Sequence, residues 1–490
     1  MIRTGVIAVA AAAVLASTAQ AAEPGGNADW GAALRQDAEA FHDLILDSHP
    51  GPVDPENPGF KPLLERGLKA ALVRAKTAKT YPDYYFALQT YAASFDDGHL
   101  GLTNYRTDGF VFTSRWPGFL TALRGDRNEV VFREDEAAPP MGAVLVSCDG
   151  RAADALAAEV VGRTAGRWSL RSRREAYSAA LFVDYGNPYV RRAQRCVFEA
   201  NGARKTYALA WRDLPAATRD KGFAVASAPR FTTPIELRPY GDGGFWVGLG
   251  SFDGDPTSAD GVKLTALSKA VEARAGDLRA APVVVFDLRG NNGGSSSWLS
   301  GMAKSLWGAE YVAAREPQSE GVDWRVSDGN IAHMGFLKEM FGKAETPDPE
   351  LMAWLDGAVA GLKAAKAEGR PYWRKADEEG APEPAVVADT PMKAKAYVFT
   401  DFNCASACLD AVDLLTALGA IHVGQETSAD TAYMEVREQR LPGDRVTAYV
   451  PVKVYRGRPR GSNVPAAPAV RYTGDLRDTA AVEAFVGGLR

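Results

Sequence analysis

Apolar positions change their period along the chain, and each change predicts a different kind of element. From Trp30 to about Ala93 they recur at helical spacing in ALRQDAEAFHDLIL, FKPLLERGLKAALVRA and YPDYYFALQTYAASF, which predicts helices with one apolar face. Pro50, Pro52, Pro55 and Pro58 crowd the link between the first two, where the chain cannot continue a helix. From about Phe110 to Pro215 the pattern becomes that of short strands: GFVFTS, FLTALRG, EVVFRE, AVLVSCDG, RCVFEANG and TYALAW. From Arg230 onward, buried-looking strands (GFWVGLGSF, APVVVFDLRG, KAYVFTD, IHVGQE) alternate with helices (GVKLTALSKAVEARAG, SSSWLSGMAKSLWG, SACLDAVDLLTALGA). Nearly all-apolar strands separated by amphipathic helices predict βαβ units around a mainly parallel sheet.

These shifts divide the chain into a helical cap at 22–108, a β-rich domain at 109–228 and an α/β core at 229–490. Within the core, about 310–391 is charged and intermittently helical and ends in KADEEGAPEPAVVADT, so it reads as an insertion. Such a segment either covers the site or decorates the periphery. Residues 1–21 are of another kind. Arg3 precedes the apolar run Val6 to Leu15, and Ala19-Gln20-Ala21 follows as a small-x-small cleavage site, the order of a secretory signal peptide. The expectation is a periplasmic or secreted chain, mature from about Ala22. No other stretch reaches about 18 uncharged apolar residues, so an integral membrane protein is not expected.

A chain of 490 residues exceeds what one core usually serves, and a net charge of −5 offers no basic face for nucleic acid. Four cysteines fit the oxidising compartment that a signal peptide implies. Cys148 with Cys196 is the favoured disulfide. Cys404 and Cys408, four apart on what reads as a helix entry, share a face but do not suit a relaxed bridge, and read equally as reduced packing residues. No Cys/His spacing for a metal is present, and no cofactor fingerprint.

Three segments carry candidate chemistry. In TDFNCASACLDA a buried strand ends, the chain turns, and Ser406 stands at a helix start, where free N–H groups and the helix dipole favour an attacking alkoxide. A serine there can equally be an N-cap. In VVVFDLRGNNGG a Gly- and Asn-rich turn follows a buried strand and leaves N–H groups free for a ligand, with Asp287 and Arg289 as a bracing pair. It can equally be a tight strand-to-helix connection. In FDDGHLGL, His99 follows acidic residues at a Gly-marked turn. Of the five histidines it is the best general base: His42 and His49 lie in or beside the first helix, His333 in the insertion and His422 in an apolar strand.

The order of these segments, with FDLRGNNGG and NCASACLDA as the specific strings, resembles the tail-specific and tricorn-core serine peptidases from about Tyr84 to the C-terminus. The resemblance implies a crotonase-like ββα superhelix, and it implies that GAVLVSCDGRAADALAAEVVG belongs to a PDZ-like module. It implies Ser406 as nucleophile, with Ala407 and Gly293 N–H groups as the oxyanion hole. Members using a lysine carry it where Thr431 stands here, and Lys453 is the only lysine after Ser406. The resemblance therefore implies the histidine variant, with His99 as base. The glutamate that orients this base is missing from RGSNVPAAP. Asp430, beside the vacated lysine position, is the expected acid, with Glu435 as the alternative.

The expected activity is peptide-bond hydrolysis through an acyl-enzyme, on peptide or unfolded-protein substrates, without cofactor or metal. The alternative keeps the fold without efficient catalysis, as a binder of peptides or apolar ligands. An esterase of the common α/β fold would need a GxSxG elbow, which is absent.

Overall fold

The computed structural model describes residues 29–107, 109–227, 231–317, 319–343, 349–375 and 389–489, and the signal-peptide expectation lies outside these. The chain forms two compact units, an N-terminal one that also recruits residues 438–450, and a C-terminal one of 231–437 and 451–489.

In the N-terminal unit three helices form the cap, α1 (Trp30–Ser48), α2 (Phe60–Ala75) and α3 (Tyr81–Ala93). Their starts are written in the sequence. Asp29 accepts the Ala32 N–H at 2.9 Å, and Thr80 with Asp83 forms a reciprocal capping box. Phe41, Phe60, Tyr91 and Phe95 interlock as the cap core. Buried Asp37 ties the returning segment to the cap, accepting from Tyr84 Oη at 2.7 Å and from the Gly443 N–H at 2.9 Å. The short strand β1 (Gly101–Thr103) pairs with residues 447–449 of that segment.

The β-rich part is an antiparallel meander of β2 (Phe119–Arg124), β3 (Arg127–Arg133), β4 (Val144–Cys148), β5 (Arg195–Ala200) and β6 (Ala203–Ala208). Cys148 and Cys196 face each other across β4 and β5 and form the expected disulfide, with Cα atoms 4.0 Å apart. The strand expected at 109–114 is irregular. Its Phe110 and Phe112 are drawn instead into an aromatic cluster with Tyr81 and Tyr85.

The C-terminal unit is built on a six-stranded sheet in the order β7 (Glu236–Tyr240), β8 (Gly244–Gly248), β9 (Val283–Asp287), β12 (Lys395–Thr400), β13 (Ile421–Gly424), β16 (Val470–Arg471). Only the β7–β8 pair is antiparallel. Val284 and Phe286 on one face, and Val283 and Val285 on the other, are almost wholly buried, which is why β9 reads as a continuous apolar run. Helices α6 (Ala259–Ala273), α7 (Ser297–Trp307) and α10 (Ala407–Ala417) cover the first face, and α11 (Thr479–Gly487) the second.

The segment read as an insertion has its own small core. Helices α8 (Asp328–Gly342) and α9 (Pro349–Ala367) pack Met334, Leu337, Leu355 and Leu362 against Trp324 and Trp373. Strand β10 (Gly321–Arg325) pairs with β11 (Tyr372–Trp373) and with residues 453–456 of β15 (Thr447–Arg456), which fixes the segment to the C-terminal unit. Strand β14 (Tyr433–Arg440) also pairs with β15. Among the described residues no helix is long and apolar enough to cross a membrane, and no group of three His, Cys, Asp or Glu is placed to hold a metal.

Candidate active site

Strands β9 and β12 are parallel neighbours in register, Asp287 opposite Phe399, so the turns after them lie side by side. This is the carboxyl-end edge of an open α/β sheet, where ligands usually bind. The turn after β9 is braced as expected: the wholly buried Arg289 guanidinium donates to both Asp287 oxygens and to the Leu476 carbonyl. Asp401 joins the two turns. Its carboxylate accepts the Gly290 N–H at 3.0 Å from one and the Asn403 N–H at 2.9 Å from the other. Burial raises this carboxyl to about 6, against the pull of those N–H donors.

Ser406 immediately precedes α10 with φ 54° and ψ −126°, and its side chain makes no cap bond. The N-cap reading is thereby removed. A non-glycine residue at positive φ costs roughly 1–3 kcal/mol and persists only where surroundings enforce it. Two features accompany it here. Cys404 and Cys408 are disulfide-bonded across the serine, with Cα atoms 5.3 Å apart. The expectation that this spacing disfavours a bridge is corrected: α10 begins only at Ala407, so Cys404 lies outside the helix and the intervening chain bends sharply. The second feature is Gly293, at φ 107°. A Cβ placed on it would stand 2.7 Å from Ser406 Cβ and 3.1 Å from the Ala407 nitrogen. Only glycine admits this contact.

Ala407, the first helical residue, has an N–H with no acceptor among the described residues, as an uncapped helix start should. The Gly293 N–H differs from the expectation. It donates to Asn291 Oδ1 at 2.8 Å, and Asn291 is wholly buried with its Nδ2 fixed on the Leu249 carbonyl at 2.8 Å. In this state one of the two expected oxyanion donors is engaged.

The expected acids are also engaged. Buried Asp430 is bonded by Arg458 at 3.0 Å and Arg460 at 3.4 Å, and Arg460 in turn holds Asp410 and Asp413. Buried Glu435 is paired with Lys453 at 3.4 Å; burial raises its carboxyl and the lysine opposes that. Thr431 caps its own turn, accepting the Tyr433 N–H at 3.1 Å. Asp430 is thus shared between two arginines.

In the N-terminal unit the carboxylate beside His99 is Asp97, two residues earlier. Its Oδ1 accepts the His99 N–H at 2.7 Å and stands 4.0 Å from His99 Nδ1. Its Oδ2 stands 3.9 Å from Nε2 of the wholly buried His49. His49 Nδ1 accepts the Gly51 N–H at 2.8 Å, so a neutral His49 carries its proton on the nitrogen facing Asp97. Its ring stacks on Phe60. Burial pushes Asp97 up, but the two imidazoles and the His99 N–H bring it below the usual carboxylate range, while burial holds His49 down. Sequence reasoning missed His49 and Asp97 although FDDGHLGL contains the Asp-x-His spacing. His422 is buried as expected, its Nε2 2.7 Å from Thr400 Oγ1.

Among solved structures, mature CPAF superposes on this chain with a TM-score of 0.56 at 13% identity, covering 94% of this chain and 98% of CPAF. CPAF complexed with lactacystin gives 0.55 at 14% identity, covering 94% and 99%. A serine-to-alanine mutant of CPAF gives 0.54 at 14% identity, covering 94% and 98%. At such identities the likeness establishes a shared mixed α/β fold. No protein-family profile matches the sequence, and no curated protein matches it.

Proposed function

We propose that the chain is a serine peptidase of the tail-specific and tricorn-core kind, with Ser406 as nucleophile. The observation that carries this is the Ser406 turn: a strained serine without a cap bond, at the carboxyl edge of a parallel sheet, with the free Ala407 N–H after it and Gly293 packed against it. Structural serines rarely need such a backbone. In this reading the C-terminal unit is the crotonase-like core and the β-rich part a PDZ-like module.

Ser406 Oγ attacks a peptide carbonyl, and its proton passes to His99, the base assigned by the family resemblance. The oxyanion rests on the Ala407 N–H, joined by that of Gly293 once Asn291 yields it. Collapse expels the amine with the proton from His99, and water then releases the acyl group. Asp97 replaces Asp430 as the acid that orients His99, supported by its place beside the ring. Substrates are peptides or unfolded segments. Two disulfides support an exported, periplasmic or secreted chain.

A second reading has one observation behind it. With the Gly293 N–H on Asn291, a donor usually worth about 100- to 1,000-fold in rate is missing, which favours a weakly catalytic binder. A fluorophosphonate probe separates the two. Wild-type labelling abolished by Ser406→Ala supports the peptidase; absence of labelling, or labelling that survives the substitution, refutes it.

A further inference from the structure

The N-terminal unit contains a cavity of about 420 Å³ that the proposed chemistry does not use. Its walls include Phe86 of α3, Phe112, Leu156, Val161, Phe182 and Trp211. Small-molecule sites commonly fall between about 300 and 1,000 Å³ with walls of this character. Two polar atoms of the lining are already satisfied: Trp211 Nε1 donates to the Ala193 carbonyl at 2.8 Å, and Thr164 Oγ1 to the Val161 carbonyl at 3.2 Å. An occupant body with hydrogen-bonding groups gains nothing from them. Residues Ala158–Gly162, which supply Val160 and Val161 to the wall, form a π-helical turn, a distortion that concentrates at functional sites.

The chamber adjoins a second, more polar cavity, and both are lined by Asp184, Arg191, Arg192 and Trp211. Charge at this junction is unbalanced. Asp184 is matched by Arg192 at 2.5 Å, whereas exposed Arg191 forms no ion pair with any described residue. An apolar chamber thus meets a polar vestibule at one uncompensated guanidinium. A planar fork with a single charge pairs bidentately with a carboxylate, whose one negative charge it balances.

We propose that this chamber binds a medium-chain alkanoate, its tail among the apolar walls and its carboxylate on Arg191. The test is isothermal titration of the Ser406→Ala protein with decanoate, decanol and a short peptide ending in leucine, so that the outcome does not depend on catalysis. Decanoate is expected to bind saturably and at least tenfold more tightly than decanol. Arg191→Gln, at an exposed position, should weaken decanoate about tenfold and leave decanol unchanged. Val161→Trp should fill the chamber and remove both. No saturable decanoate binding, equal binding by Arg191→Gln, decanol matching decanoate, or binding of the peptide in place of decanoate would each overturn the proposal.

Discussion

Removing the Cys404–Cys408 bridge separates its part in positioning Ser406 from its part in stability. The cysteines are four residues apart, so the cross-link withdraws only about 2 kcal/mol of unfolded-chain entropy, against about 4 kcal/mol for Cys148–Cys196 with its separation of 48. The positive-φ backbone of Ser406 stores roughly 1–3 kcal/mol, the same size as the small staple's contribution. Without the staple, the turn can relax toward an ordinary helix start. Because about 1.4 kcal/mol is a factor of ten in rate, the double variant Cys404→Ala/Cys408→Ala should label with fluorophosphonate roughly 10- to 100-fold more slowly. Cys148→Ala/Cys196→Ala should lose about twice as much stability in urea and label at the wild-type rate wherever it is folded. Two outcomes refute the reasoning: a Cys404/Cys408 variant labelling within twofold of wild type, or rates in the two variants that merely follow lost stability.

Gly293→Ala should lower labelling by about 100-fold or more, because its Cβ would stand 2.7 Å from Ser406 Cβ; unchanged labelling would show that the contact opens freely. Asp97→Asn should slow labelling by about 100- to 10,000-fold, the range for a disabled general base, as read from rates at saturating probe. Asp430→Ala should instead cost about 3–5 kcal/mol of stability in urea, since it strips two largely buried arginines of a shared carboxylate, and should leave the folded protein's labelling intact. Asp401 provides a pH test. Its folded carboxyl, raised to about 6, holds its proton more tightly than the unfolded one, so this contribution is full below about pH 4 and is lost as pH rises through 6. That loss is about 3 kcal/mol. Urea titrations at pH 4 and 7 should show wild type losing this much relative to Asp401→Asn.

What the sequence disclosed follows how local each cause is. The buried strands, the capped helices and the serine at a strand-to-helix junction are written in residues that are neighbours along the chain, and the structure has them where the pattern puts them. The Ser406 backbone is another matter: φ 54° at a non-glycine residue leaves no compositional trace, and reading Cys404 through Cys408 as helix made a bridge look unsuitable. The same blindness affects charge. Asp430 is suggested by its nearness to a position where the resembled peptidases carry lysine, yet Arg458 and Arg460, which come from a later segment, bind that carboxylate. Asp97 needed no tertiary information to be noticed, only its place two residues before His99. Its ionisation does depend on the fold, because burial pushes this carboxyl up while the His49 and His99 contacts bring it down. The buried carboxylates thus sort by partner. Arginines hold Asp430 and Asp287, burial raises Asp401 against its backbone N–H donors, and two imidazoles hold Asp97. Only the last partnership joins a buried carboxylate to His99, its Oδ1 accepting the His99 N–H at 2.7 Å and standing 4.0 Å from His99 Nδ1, and that geometry is the physical ground for placing the acid there.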